Sequence, residues 1–335
     1  MTTAQLPEKI RVSVGSAIVL GLMHGRLDAE PTTIYLLTYY SGKCLANCGF
    51  CPQAKASKSR ADMLSRVTWP TFPTEQVLSK IEEEAKNPTI KRVCIQALNN
   101  PNVFNDMFAL AKEIRSRTGV PLSVSCQPFN LKQLKLLKEI GVDRISIALD
   151  AATKELFNRV KGPLTNSPYK WETQQETLMR AVEVFGKNRV YTHLIVGLGE
   201  TEKEIIQTIQ WCTDFDVYPS LFAFTPILGT ALETLPQPSV ATYRRVQLAH
   251  YLIVHEKTRC ENMKFDKNER LIEYGVSESL LQRVVETGSP FLTSGCPGCN
   301  RPYYNERPGG PLYNYPRQPL PEEIRKIKEI RKQPS

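Results

Sequence analysis

The stretch Lys43-Cys44-Leu45-Ala46-Asn47-Cys48-Gly49-Phe50-Cys51-Pro52-Gln53 sets three cysteines at the spacing C-x3-C-x2-C, with an aromatic residue directly before the last. Three thiolates so close together can all face one metal cluster, and Gly49 lets the backbone turn tightly around it. A tetrahedral zinc site needs a fourth ligand, usually from a second C-x2-C or a His pair. Here the next cysteine is Cys94, and no His lies between. Three local ligands suit a 4Fe–4S cluster that keeps one iron open. A clump of buried or zinc-bound cysteines is the plainer alternative, and the spacing weighs against it.

Around this loop the pattern is an alternation. Thr33 to Thr38 predicts a strand that runs straight into the cysteines, and a basic, serine-rich loop from Lys55 to Arg60 follows them. A helix over 74–86 opens at Pro73-Thr74-Glu75. Apolar strands are then predicted at 92–98, 122–126, 144–150, 189–196, 220–224 and around 263–265. Helices are predicted between them, over 105–118, 131–140, most of 151–186, 202–215 and 240–257. Such alternation gives parallel βα units and an α/β fold, a TIM-type (βα) barrel, full or partial. Residues 1–30, with Ile10, Val14, Ile18, Leu22 and Leu27, read as an N-terminal helical extension, and 31–285 as the barrel. Residues 286–335 form an irregular C-terminal extension that carries Cys296-Pro297-Gly298-Cys299 and ends in a basic helix over 321–332. The Gly, Pro, Tyr and Asn content of 287–317 excludes a helix, and its aromatic residues and cysteines argue for order. An ordered loop wrapped over one end of the barrel is expected.

Bulk properties narrow the setting. With 41% hydrophobic and 23% charged residues among 335, the chain buries a real core. A formal net charge of +9 suits an acidic partner, an anionic substrate or simply a solvated basic surface. No signal peptide is visible, and the apolar run from Val12 to Met23 is too short and too broken by glycine to span a bilayer. A cytoplasmic, membrane-free protein is expected, in which clustered thiols mean metal more often than disulfides. Cys212 reads as buried in a helix, Cys260 has no assigned role, and the four histidines show no metal-binding spacing.

The cysteine stretch resembles the signature of the radical SAM superfamily. That resemblance implies a cluster on Cys44, Cys48 and Cys51 whose open iron binds S-adenosylmethionine (SAM), with Phe50 beside it. Ile195-Val196-Gly197-Leu198-Gly199-Glu200 resembles the turn that contacts the adenine, with Ile195, Gly197 and Glu200 at the matching positions, and departs from the pattern at His193. Asp150 resembles the polar position that reaches the ribose or substrate; a helix N-cap is the alternative. Over roughly 33–235 the chain is similar to biotin synthase and its relatives. In biotin synthase, cysteines of the second and third strands hold a sacrificial iron–sulfur cluster. Cys94 and Cys126 match two of those positions, and Tyr191 stands where the third falls.

The segment Cys296 to Pro316 resembles the C-terminal motif of a two-protein lipoyl synthase of archaeal type. This implies an auxiliary iron–sulfur cluster, of 4Fe–4S kind, held by Cys296 and Cys299 together with Cys94 and Cys126. Sulfur insertion into the octanoyl chain of a lipoyl-carrier protein is the activity implied. Its partners would be a second radical SAM subunit and an electron donor such as ferredoxin or flavodoxin. In that chemistry a deoxyadenosyl radical takes hydrogen from an unactivated carbon, which no side-chain acid or base can do. The alternatives are biotin synthase or another C–H-activating member and, in a different class, a non-catalytic iron–sulfur electron carrier or binding module. The barrel and the adenine-type turn weigh against the last. No separate RNA-binding domain accompanies the basic charge, so a nucleic-acid partner is not expected.

Overall fold

The computed structural model describes residues 5–330. The chain opens with β1 (Lys9–Val12), α1 (Val14–Val19) and β2 (Thr33–Thr38), then a hairpin of β3 (Met63–Leu64) and β4 (Val67–Thr68), β5 (Thr71–Pro73) and α2 (Thr74–Glu84). Regular alternation follows: β6 (Arg92–Gln96), α3 (Val103–Arg117), β7 (Leu122–Cys126), α4 (Leu131–Glu139) and β8 (Arg144–Ile147). Next come α5 (Lys154–Val160), α6 (Trp171–Phe185), β9 (Val190–Val196), α7 (Glu202–Asp214), β10 (Val217–Ala223) and α8 (Val240–Val254). A small hairpin of β11 (Lys264–Phe265) and β12 (Leu271–Glu273), then α9 (Glu278–Glu286) and α10 (Pro321–Ile330), complete it.

The main sheet has the order β10-β9-β8-β7-β6-β2-β1-β5. From β2 to β10 every pairing is parallel, whereas β1 runs antiparallel to both β2 and β5. The sheet has free edges at β10 and β5, so the barrel is partial, as the alternation allowed. Apolar residues of one strand face, such as Val93, Ile95, Ile145 and Ile147, are fully buried against Met107, Leu110, Leu134 and Leu137 of the helices. The other face lines the interior.

Two expectations are corrected here. The N-terminal segment is a strand and a short helix, not helix throughout. Lys9-Ile10-Arg11-Val12 alternates in the strand period, Ile10 and Val12 enter the core, and the strand pairs with residues 36–38 of β2. The segment around 263–265 pairs only with Leu271–Glu273 in a separate hairpin, so it adds no barrel strand. The predicted C-terminal helix is present over Pro321–Ile330; residues 331 and 332 lie outside the described part. No helix among the described residues is long and apolar enough to cross a membrane.

Candidate active site

β2 ends in the cysteine loop, at the C-terminal edge of the sheet. The loop is fastened by its own backbone: Cys44 N–H donates to Gln53 O at 2.9 Å, and Lys55 N–H to Ala46 O at 2.9 Å. Neighbours hold it too. Gly49 N–H donates to Val160 O at 2.7 Å, and Leu232 N–H donates back to Gly49 O at 3.0 Å. Lys58 N–H donates to Gly229 O at 2.8 Å, which explains the close approach of the Gly229-Thr230 turn.

Cys44, Cys48 and Cys51 all face an internal cavity of about 510 Å³. Burial pushes the Cys48 thiol well up, with Lys161 opposing and Cys51 adding to the rise. Burial likewise takes Cys51 up to about 12, reinforced by Cys44. These thiols are therefore held close together in a partly buried setting, where burial outweighs the pull of Lys161. Such a donor set suits a cationic iron cluster, which deprotonates its ligands outright. Among the described residues no set of three His, Cys, Asp or Glu side chains converges on a single metal ion. A four-iron cube spaces its sulfur ligands more widely than one ion does.

Below the loop sits Asp150, whose carboxylate is 2.6 Å from the Lys161 ammonium. Asp150 adopts φ 66 and bridges to Leu194, so it lines the cavity. The cap of α5 is Thr153 instead, which sets aside the N-cap alternative for Asp150. Phe50 and Ile195 line the same cavity. Gly197 and Glu200 do not reach it. Gly197 has φ +102 and packs so closely that an added Cβ would lie 2.7 Å from Pro238. The Glu200 carboxylate folds back to accept from the amides of Gly197 at 2.6 Å and Leu198 at 2.9 Å. Both residues shape the turn that presents Ile195.

A second group of thiols lies deeper. Cys94 points inward from β6 and raises, with Cys296 and Cys299, a mutual charge penalty that adds to burial in pushing its thiol up. The Cys299 sulfur is 3.0 Å from the Tyr35 hydroxyl, and the Cys296 sulfur 3.5 Å from Ser123 Oγ. Cys126 is not brought into this group. Cys94 pairs with Ser123, so Ser123 shares its face and Cys126 takes the opposite parity, opposite Ile147 in the core. Burial alone pushes its thiol up. Cys212 is buried in α7, as expected.

The tail reaches the interior from the end of the barrel opposite the cysteine loop. Thr32 N–H donates to Asn300 Oδ1 at 3.0 Å, and Thr32 Oγ1 to Gly298 O. Thr32 precedes β2 and Ser123 is the second residue of β7, so the Cys296–Cys299 loop plugs the N-terminal end of the strands, not the mouth at the cysteine loop. The chain then climbs the open side of the sheet. Ser294 Oγ accepts from Leu221 N–H on edge strand β10 at 2.7 Å, and Thr225 Oγ1 donates to Asn305 O at 3.2 Å. Arg301 stacks on Phe222 at 3.9 Å, and Tyr304 ends up facing Cys51, Asp150 and Cys94 from the middle of the cavity.

One residue of this cavity, Lys161, carried no sequence signal, and two others stood out only as departures from a pattern. Lys161 stands at the end of α5, where a lysine ordinarily just complements the helix dipole. His193, which departs from the family pattern, is 3.0 Å from Ser146 Oγ, and burial lowers its pKa to about 4. Tyr191, in the place of a biotin-synthase cysteine, has its hydroxyl bonded by Arg144 Nε at 3.2 Å.

Residues 38–212, just over half of the chain, match the Radical SAM superfamily, and the chain belongs to that superfamily. It is similar to the biotin synthase of Methanococcus aeolicus, 25% identical over 192 residues that cover 57% of this chain and 55% of that one. It is similar as well to the GTP 3',8-cyclase of Limosilactobacillus fermentum, at 25% over 179 residues covering 51% and 52%. The chain thus spans little more than half the length of these relatives. Among solved structures, methylornithine synthase superposes with a TM-score of 0.52 at 14% identity, covering 67% of this chain and 62% of that one. The FeFe-hydrogenase maturase HydG from Carboxydothermus hydrogenoformans gives 0.51 at 17%, covering 67% and 52%. At such identities the likeness is one of fold.

Proposed function

We propose that this radical SAM enzyme inserts sulfur, as the component of a lipoyl synthase that acts on an octanoyl chain amide-linked to a carrier-protein lysine. The observation that carries the reading is the second group of thiols, Cys94, Cys296 and Cys299, in the same cavity as Cys44, Cys48 and Cys51. A member that only generates a radical needs one cluster; a sulfur donor inside the barrel calls for a second ligand set. In this reading Cys44, Cys48 and Cys51 hold the 4Fe–4S cluster, and Cys94, Cys296 and Cys299 hold the auxiliary one. When bound, the clusters and SAM supply the electron, the deoxyadenosyl radical and the sulfur.

The chain's own residues do the rest. Asp150, held by Lys161, offers a carboxylate to the SAM ribose, while Phe50 and Ile195 give apolar contact beside it. Tyr304 and Arg301 fill the space between the thiol groups and keep water out. A one-electron donor protein and a second radical SAM subunit complete the proposal. The biotin-synthase alternative has no thiol at Tyr191.

The test is an anaerobic count of iron and sulfide on reconstituted protein, with octanoyl-lysyl peptide turnover followed by mass. About eight irons, falling to about four in Cys296→Ala/Cys299→Ala, are expected for two four-iron clusters. About four in both proteins would overturn the two-cluster reading.

A further inference from the structure

Three neighbouring strands set a row of side chains across the interior face of the sheet. Tyr35 of β2 is in register with Cys94 of β6, and Cys94 with Ser123 of β7, so all three project from one face. Each hydroxyl of the row meets one thiol of the tail. The Tyr35 oxygen lies 3.0 Å from the Cys299 sulfur, and the Ser123 oxygen 3.5 Å from the Cys296 sulfur. Cys94 stands between them, and the described residues give its sulfur no hydrogen-bond partner.

The surroundings fix the direction of both bonds. Tyr35 is 8% exposed, and Cys299 is the one hydrogen-bond partner of its hydroxyl among the described residues. A buried phenol needs a partner, and a metal-bound thiolate carries no proton, so the O–H donates. Ser123 is 3% exposed, and its oxygen already accepts from Arg92 Nη1 at 2.9 Å. A guanidinium accepts nothing, which leaves the Ser123 proton for Cys296. Arg92 is itself held by Asp143 Oδ2 at 2.9 Å.

We infer that Tyr35 and Ser123 are positioning residues of the second thiol group: each donates its hydroxyl proton to one tail thiolate, and together they raise the reduction potential of the cluster held there. The inference rests on the two-cluster reading above and adds to it the residues that tune the second cluster. A hydrogen bond to sulfur takes up part of the thiolate's charge, which favours the more negative, reduced state. Tyr35 counts for more, because it is nearer to its sulfur and a phenol is the stronger acid.

The test uses the reconstituted full chain carrying Cys44→Ala/Cys48→Ala/Cys51→Ala, so that only the second cluster is seen. The readouts are iron content, a redox titration followed by electron paramagnetic resonance, and proton hyperfine spectra in H2O and D2O. About four irons are expected, with exchangeable protons coupled to the reduced cluster. Tyr35→Phe in that background keeps the iron and loses such a proton. Its ratio of reduced to oxidised cluster at a fixed potential falls about tenfold, about 59 mV for a one-electron couple. Ser123→Ala lowers the ratio about threefold. Tyr251→Phe, whose ring packs on His255, changes neither readout. A Tyr35→Phe ratio within about twofold of the background, with the cluster intact, overturns the donor role and leaves the two-cluster reading standing. Loss of iron from a folded Tyr35→Phe chain also overturns it, by making Tyr35 a ligand. Absence of exchangeable protons at the unmutated second site overturns it even where a variant does not fold. A background chain that takes up no iron overturns the second cluster itself, and the inference with it.

Discussion

Replacing Lys161 by methionine would leave the Asp150 carboxylate buried without a cation. In the native chain the ammonium sits 2.6 Å from Asp150 Oδ2 and donates to Ala148 O at 2.5 Å. The two side chains are 6% and 11% exposed, so little water can take over either bond. Removing one member of a pair this buried costs about 3–5 kcal/mol, because the remaining charge has lost both solvent and partner. The orphaned Ala148 carbonyl is part of that figure, so nothing is added for it. A second effect concerns the cysteine loop. Lys161 draws down the Cys44 and Cys48 thiols against the burial that raises them. Without it, the thiols stay protonated to higher pH, and metal uptake, which needs thiolates, moves to higher pH as well. Urea unfolding of the metal-free chain measures the first effect, and iron uptake against pH the second. Asp150→Asn/Lys161→Met should recover much of the lost stability, because it removes the unpaired charge. A Lys161→Met chain within about 1 kcal/mol of native, with unshifted iron uptake, would refute the reasoning.

Two other outcomes test the turns around the cavity. Burial pushes the Glu200 carboxyl from 4.5 up to about 7, despite the amides that donate to it. The folded chain then keeps a proton that the unfolded chain releases, so native stability declines as pH rises through that window; Glu200→Gln should remove the decline when unfolding is compared at about pH 5 and about pH 8. Gly229 has φ +84, and a Cβ there would lie 2.5 Å from Ser59 N. Gly229→Ala is expected to cost about 1–3 kcal/mol and to reduce iron uptake by displacing the loop behind the cysteines, both measurable on one reconstituted sample.

What could be read from the sequence was local. The strand Thr33–Thr38 and the thiols after it sit where the pattern put them, because an apolar run and a tight cysteine spacing are properties of a dozen residues. β1 was harder to read. Its four residues carry the strand period, but they depend on pairing with β2 some 25 positions later, and the buried Arg11 that interrupts them finds its partners, Gln53, Ala61 and the Tyr39 ring, only far along the chain. Cys126 shows the limit of matching by position alone. Strand register decides which face a side chain takes: Cys126 borders the cavity, yet its parity sets it opposite Ile147 and apart from the Cys94 thiol. Lys161 was hidden for a similar reason, since only the folded chain brings the end of α5 under the cysteine loop.

The tail's course follows from the open sheet. A closed barrel would admit the Cys296–Cys299 loop only over a rim, and the rim above the strands is occupied by the cysteine loop. Here the gap between β10 and β5 leaves backbone donors exposed along β10; Ser294 answers that of Leu221, and Asn305 O accepts from the Thr225 hydroxyl just beyond the strand. The segment that seals this gap is also the one that delivers Cys296, Cys299, Arg301 and Tyr304 to the interior. One segment therefore both covers the open side of the barrel and completes the second thiol group: without it Cys94 has neither sulfur partner. The second thiol group thus depends on the incompleteness of the sheet, while the first needs only the loop that follows β2.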